Sequence, residues 1–168
     1  QLALDFHREL PVVVTFDAPQ SSSDGGALLL RQIDDRLGLT SWLSDLLPDR
    51  RDPSRTQHPV QELVRQRIYQ IAMGYEDCND ATWLRHDPAL KTACDRRPFD
   101  DGALSSQPTL SRLENGVSMR VVTQVAHAFI ARWVATLPSD TDVVILDIDA
   151  TDDETHGGQQ LSFFHGYY

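Results

Sequence analysis

Apolar residues with helical spacing dominate the first 137 positions of the chain. They recur at intervals of three and four, the period of a helix that buries one face. This pattern predicts seven helices, over residues 27–37, 41–47, 58–74, 80–85, 88–94, 106–115 and 118–137. Proline or glycine bounds several of them, as Pro59 and Gly74 do for the third. The sequence therefore indicates a mainly helical chain.

Two short segments have instead the β-branched composition of strands. The first is residues 11–16. The second, residues 143–148, is apolar at both odd and even positions, which is typical of a central strand with two buried faces. We therefore expect an all-helical N-terminal region, residues 1–137, that leads into the first strand of a sheet within residues 138–168.

The two longest helices carry apolar stripes that are expected to face the core. In the 58–74 helix the stripe is Val60, Leu63, Val64, Ile68, Ile71 and Ala72. The residues expected to point away from the core are Arg65, Gln66, Tyr69 and Gln70. In the 118–137 helix the stripe is Val122, Val125, Ala126, Phe129, Ile130, Trp133, Val134 and Leu137.

Charge is distributed unevenly along the 168 residues, whose net charge is −10 at pH 7. Residues 50–132 hold two more bases than acids, whereas residues 133–168 hold seven acids and no Lys or Arg. Fourteen of the 15 basic residues are Arg, which suits bidentate phosphate contacts. The acidic total argues against a general nucleic-acid surface, but the mildly basic middle leaves a local one open.

Composition also limits the cellular context. No apolar run approaches the roughly 20 residues that span a bilayer, and no secretory signal opens the chain. The two cysteines, Cys78 and Cys94, are too few for a disulfide framework or a zinc site. We expect a cytoplasmic protein without a membrane partner. The chain opens on Gln1 rather than Met, so further residues are expected before it.

One group of side chains with evident chemistry follows the second predicted strand. Asp147 and Asp149 lie two apart, so on a strand both project from one face. Their charge needs compensation at the end of a buried strand, and Mg²⁺ provides it well. A solvated acidic turn explains the same spacing equally well. A calcium loop fits poorly, because Asp152 and Gly158 stand where a glycine and a glutamate are required.

The helix at 106–115 begins with short polar residues followed by an arginine, as in the recognition helix of a helix-turn-helix. The candidates for contact with bases or phosphates are Ser106, Gln107, Thr109 and Arg112. The alternative is a capped surface helix that packs through Leu110 and Leu113. A second candidate phosphate surface consists of Arg50, Arg51, Arg55, Arg65 and Arg67.

The acidic group belongs to a longer series of motifs. These are Asp-Ile-Asp-Ala-Thr-Asp-Asp at 147–153, Thr-His-Gly at 155–157, Gln-Leu-Ser-Phe-Phe-His-Gly-Tyr-Tyr at 160–168, His-Pro-Val at 58–60 through Gly-Tyr-Glu-Asp at 74–77, Leu-Arg-His-Asp-Pro at 84–88, and Ser-Gln-Pro-Thr-Leu-Ser-Arg-Leu-Glu-Asn at 106–115. In this order they resemble bacterial insertion-sequence transposases with a DDE domain of the group 1 type. The resemblance extends over nearly the whole chain.

The resemblance implies a ribonuclease H-like α/β catalytic fold that begins within residues 138–168. In that family two aspartates and a glutamate hold two Mg²⁺ or Mn²⁺ ions, which activate water and then a DNA 3′-hydroxyl for cutting and strand transfer. The first family aspartate is followed closely by threonine, as Asp149 is here. Asp149 is therefore expected to be catalytic and metal-binding, with Asp147 as a neighbouring metal carboxylate. The implied partners are double-stranded DNA at transposon ends and a second copy of the chain.

The end of the sequence departs from the family pattern. Residues 155–168 contain neither Asp nor Glu, whereas the family places its second aspartate and its glutamate further along. We therefore expect a truncated N-terminal part of the enzyme that is inactive by itself. Two alternatives stay open: a non-enzymatic DNA-binding protein or regulatory remnant of a transposase, and a soluble helical interaction domain with an acidic tail.

Overall fold

A computed structural model describes residues 2–4, 11–15 and 20–148. Their elements are strands β1 (Leu2–Leu4) and β2 (Val12–Val14) and helices α1 (Gly26–Leu37), α2 (Leu39–Leu46), α3 (Val60–Ala72), α4 (Ala81–Leu84), α5 (Pro88–Ala93), α6 (Gln107–Asn115) and α7 (Met119–Val134). The described chain is mainly helical with a small β part, as the sequence predicts. None of these helices combines the length and the apolar character that crossing a membrane requires.

β1 and β2 pair as an antiparallel two-stranded sheet, with Ala3 opposite Val13. The three valines of β2 predict this strand, but β1 has no comparable signal. A strand needs a neighbour for its backbone N–H and C=O groups, and residues 2–4 supply one. The expectation of an all-helical N-terminal region is therefore wrong at this hairpin.

Several helix ends follow from local chemistry. Gly38 has a φ of 62° and separates α1 from α2, a left-handed conformation that glycine adopts without strain. Its N–H donates to the Asp34 carbonyl at 2.6 Å. At α5, Pro88 occupies the first turn, and the Asp87 carboxylate accepts from the Leu90 N–H at 2.8 Å. These boundaries agree with the sequence within about two residues.

Two clusters of buried apolar side chains form the core of the helical region. The larger one is Ala27, Tyr69, Leu84, Leu90, Ala93, Cys94 and Leu104. The smaller one is Leu63, Ala81 and Leu110, with Cys78 and Leu113 packed against it. Helix α3 contributes to both clusters and also contacts α2 and α6. It is therefore the central helix of the described fold.

The burial of α3 differs from the stripe that its apolar residues predict. The side chains expected to point away from the core are all buried: Arg65, Gln66, Tyr69 and Gln70. Ile71, a stripe residue, is 49% exposed. The prediction is wrong for these positions because neighbours pack on α3 from more than one side, and several of its polar groups find buried partners there.

Helix α7 also departs from expectation, since none of its residues is buried. Val122, Ile130 and Trp133 of the predicted core stripe are between 46% and 58% exposed. The Phe129 ring contacts Trp42 of α2 edge-on, with centroids 4.8 Å apart. Burial of this stripe requires a second apolar layer, and residues 20–148 do not provide one.

The chain divides into two units, Gln1–Ala131 and Arg132–Tyr168. In the second unit the structure describes the last turn of α7 and an irregular stretch up to residue 148. Val143, Ile145 and Leu146 are between 73% and 89% exposed. The prediction of a buried central strand at 143–148 is wrong here, because a strand needs a hydrogen-bonded neighbour and no described residue pairs with this segment. The described residues therefore include no ribonuclease H-like sheet.

Candidate functional site

One side of helix α6 packs against the core, and the other side is exposed to solvent. Leu110 is fully buried in the cluster with Leu63 and Ala81, and Leu113 packs against the same cluster. The opposite side carries exposed residues at Pro108, Arg112 and Asn115. The apolar residues thus fix the orientation of α6 and direct Arg112 to solvent. The predicted packing through Leu110 and Leu113 is confirmed, whereas contact of the exposed face with DNA stays a prediction.

The start of α6 brings the predicted polar residues close to one another. Ser106 occupies the N-cap position with extended backbone, but its side chain makes no capping hydrogen bond. Its hydroxyl lies instead 3.1 Å from the Thr109 hydroxyl. Ser106, Gln107 and Thr109 are half-buried and Arg112 is exposed. The Arg112 guanidinium forms no ion pair within residues 20–148, so it is open to an external anion.

Gln66 of α3 positions the start of this helix, although no pattern in the sequence marks it as important. Its side-chain amide bonds to Ser105, the residue before Ser106, through both the backbone N–H and the carbonyl, each at 3.0 Å. Gln66 and Ser105 are fully buried. No local signal reveals such a pair, because the two residues lie 39 positions apart.

Arg65 is a buried side chain in an ionic network with Arg31, Asp34 and Asp95. It is 8% exposed, and its guanidinium donates to the Asp95 carboxylate. Arg31 of α1 donates to the same carboxylate oxygen at 2.9 Å. The Arg65 Nε atom also lies 3.8 Å from the Asp34 carboxylate. A phosphate would have to displace these carboxylates, so the expected DNA contact of Arg65 has no support in the structure.

Asp34 extends this network to α2 and α3. Its carboxylate accepts from the Thr40 N–H at 2.8 Å and from the Tyr69 hydroxyl at 3.1 Å. Burial raises the pKa of Tyr69 above its usual value of 10.0, and the neighbouring Asp34 charge adds to this effect. The phenol therefore stays neutral and serves as a donor. The network holds three helices together.

The second predicted phosphate surface is largely neutralised. Arg51 donates to both carboxylate oxygens of Asp49 at 2.8 Å, and the bond from Arg51 lowers the pKa of Asp49. Arg67 donates to the Glu114 carboxylate and to the carbonyl of Tyr75. Arginines already paired with carboxylates offer little to a phosphate. Arg51, Arg65 and Arg67 are thus each paired with a carboxylate in the described structure, and their contact with phosphate stays a prediction.

The predicted metal carboxylates are only partly within the described chain. Asp147 is exposed and belongs to the irregular segment, while Asp149 lies outside the described residues. Within residues 20–148 no three His, Cys, Asp or Glu side chains come together in a way that could hold a metal ion. Asp147 offers hard oxygen ligands, which suit Mg²⁺ or Mn²⁺, but alone it does not form a site.

The described structure thus defines a mainly helical protein that presents one polar helix face, on α6, as a candidate DNA contact. A family model, the transposase DDE domain group 1, matches residues 4–168. Because the match extends over nearly the whole chain, the chain belongs to this family of DDE transposases. The family implies transposition as the function and DNA as the substrate. No curated protein and no solved structure matches the chain.

Proposed function

We propose that this chain is the N-terminal part of a DDE transposase, which binds transposon-end DNA through α6 and supplies the first catalytic aspartate. The family match over residues 4–168 carries this proposal. The complete enzyme cuts double-stranded DNA and joins it to a target, and two copies act together on the two ends. Residues 138–168 begin its catalytic domain, which has a ribonuclease H-like fold.

The DNA contact is assigned to the outer face of α6. Arg112 extends to solvent from a helix whose orientation is set by buried Leu110, and it has one charge to offer a phosphate or a guanine edge. Ser106, Gln107 and Thr109 lie near the helix start, where backbone N–H groups favour anions. These four residues supply one positive charge, so affinity also depends on other parts of the complete protein.

Asp149 is assigned as the catalytic carboxylate and Asp147 as its neighbour in the metal site. DDE transposases use divalent metal ions, and Mg²⁺ or Mn²⁺ would supply charge stabilisation and an activated nucleophile there. Two acids close together on one segment cannot surround two ions, which need ligands from several parts of a fold. Residues 1–168 alone are therefore inactive in DNA cleavage.

The experiment that tests the DNA contact measures binding of residues 1–168 to duplex DNA that flanks the gene, over a range of salt concentrations. Arg112→Ala should weaken binding and lower the slope of log K against log salt by about 1, because one phosphate contact is lost. Arg36→Ala on α1 is the matched control, since Arg36 is also exposed. Equal binding by the two variants, or a flat salt dependence, would refute the assignment.

A regulatory DNA-binding protein without catalysis is the second candidate. It rests on the exposed Arg112 of α6, which can contact DNA whether or not the protein also cleaves it. A strand-transfer assay with Mg²⁺ on the protein encoded by the complete reading frame distinguishes the enzyme from the regulator. Cleavage that Asp149→Ala abolishes supports the enzyme, and DNA binding without any cleavage supports the regulator. The same assay on residues 1–168 should give no product.

A further inference from the structure

Helix α7 separates its polar and apolar residues onto opposite faces. Because a helix turns by about 100° per residue, positions 120, 123, 124 and 127 fall within an arc of about 100° on the side opposite the apolar stripe. All four positions belong to the first unit of the chain, Gln1–Ala131. The side chains of this polar face are all exposed: Arg120, Thr123, Gln124 and His127.

Most polar groups of this face are unused by the described fold. Among the described residues, the side chains of Arg120, Gln124 and His127 form no hydrogen bond and no ion pair. The Thr123 hydroxyl donates to the Met119 carbonyl of the same helix at 3.0 Å. The polar face therefore offers hydrogen-bond donors, acceptors and one arginine charge to an external partner.

No carboxylate belongs to α7 or to the residues that flank it. Residues 115–139 contain neither Asp nor Glu, the longest such stretch in a chain whose net charge is −10. A solvated helix face of so acidic a protein would normally carry acids together with bases. Helix α7 instead carries Arg120 and Arg132 without an acid, so a polyanion meets locally positive charge there.

The connection between α6 and α7 has the length found in a DNA-binding helix-turn-helix. Three residues, 116–118, lie between the two helices, and the first of them is Gly116. In this class of motif a turn of three or four residues, often with a glycine, joins the helices. The second helix enters the major groove, and the first crosses the phosphate backbone. By its place in the chain, α7 is the second helix of the pair.

We propose that α7 enters the major groove of transposon-end DNA and contacts base edges with Arg120 and Gln124. The groove is about 12 Å wide and admits one helix. Arg120 and His127 are separated by about 10 Å along the helix axis, which corresponds to about three base-pair steps. Arginine pairs with guanine and glutamine with adenine, so the bound site should contain both bases. This inference rests on the proposed function for its DNA partner, but it requires neither catalysis nor a contact by α6.

Fluorescence anisotropy of labelled duplex DNA that flanks the gene tests the contact with residues 1–168. Gln124→Glu places a carboxylate on the polar face and should weaken binding about tenfold, because a base contact is lost. Gln61→Glu is the matched control, since it makes the same change at an exposed position of α3 and should bind as the unaltered chain does. Far-UV circular dichroism verifies that both variants keep their helices. Equal affinities of the two variants overturn the proposal.

Selection from a pool of randomised duplexes tests whether α7 distinguishes bases. Gln124→Ala should lose the preference for adenine at one position, whereas Arg112→Ala on α6 should weaken binding to all sequences alike. A selected site that Gln124→Ala leaves unchanged, or the selection of no site, overturns the inference. DNA binding that Arg112→Ala weakens and Gln124→Glu leaves intact refutes the role of α7 alone. A chain that binds no duplex refutes the α6 contact as well.

Discussion

Gln66 and Ser105 form a closed hydrogen-bonded pair in the core, 39 residues apart in the sequence. The Gln66 amide nitrogen donates to the Ser105 carbonyl at 3.0 Å, and its oxygen accepts from the Ser105 N–H at 3.0 Å and hydroxyl at 2.7 Å. Ser105 immediately precedes the residue that starts α6. The pair therefore fixes the position of the candidate DNA-contacting helix relative to α3.

Gln66→Ala should lower the free energy of unfolding by about 3 kcal/mol, because it leaves the buried N–H and carbonyl of Ser105 without partners. Urea unfolding measures the change. Gln61→Ala on the exposed side of the same helix is the control and should change stability by less than about 0.5 kcal/mol. Similar losses for both variants would contradict the importance of the pair.

Substitution of Arg65 should affect mainly stability, whereas substitution of Arg112 should affect mainly DNA binding. Arg65→Ala removes the charge partner of buried Asp34 and of the more exposed Asp95 and should destabilise the fold by about 2 kcal/mol. Arg112→Ala removes only an exposed side chain and should leave the unfolding midpoint nearly unchanged while weakening DNA binding. Thermal unfolding and DNA titration of both variants check this. An Arg65→Ala protein that is as stable as the unaltered chain but binds DNA more weakly would support Arg65 as a DNA contact.

The buried phenol of Tyr69 should make the fold less stable at alkaline pH. Its pKa is raised by burial and by Asp34, so the folded state favours the neutral phenol over the phenolate. The stabilisation is complete below the unfolded pKa of 10.0 and declines as the pH rises above that value. The stability advantage of the unaltered chain over Tyr69→Phe should therefore shrink as the pH rises from about 10 to about 11. An advantage that is constant across this range would exclude the coupling.

The two cysteines should differ in reactivity. Burial raises the pKa of Cys94 and suppresses its thiolate, whereas Cys78 is only half-buried, although burial raises its pKa as well. N-ethylmaleimide should modify Cys78 at least roughly tenfold faster than Cys94 in the native protein. Mass spectrometry of timed samples measures both rates. In concentrated urea the rates should converge, and equal rates in the native state would show that Cys94 is accessible.

Gly38→Ala should destabilise the chain by about 1 kcal/mol, because the φ of 62° between α1 and α2 disfavours any side chain with a Cβ atom. Gly102→Ala is a matched control. Gly102 has no positive φ, and a Cβ atom there would meet nothing within 4 Å. Chemical unfolding of the two variants gives the comparison. Equal stabilities would show that the turn at Gly38 relaxes without cost.

The amino-acid sequence alone determined which segments become helices and where several of them end. Pro88 with Asp87 starts α5, Gly38 ends α1, and the Ser106-Gln107-Pro108 series starts α6, since each of these signals acts over a few residues of backbone. Because these signals are local, the sequence also identified α6 as a candidate DNA contact without any information on how it packs. The roles of Ser106, Gln107, Thr109, Arg112, Asp147 and Asp149 remain predictions.

Only the tertiary structure decided which faces of these helices are covered. Arg65 and Gln66 are buried, and their polar partners, Asp34 and Asp95 for Arg65 and Ser105 for Gln66, lie far away along the chain. Apolar periodicity shows that a helix has a face to bury, but burial depends on what packs against it. The described fold surrounds α3 and leaves the stripe of α7 open. A strand at 143–148 likewise depends on a neighbour, because half of its backbone hydrogen bonds belong to another segment.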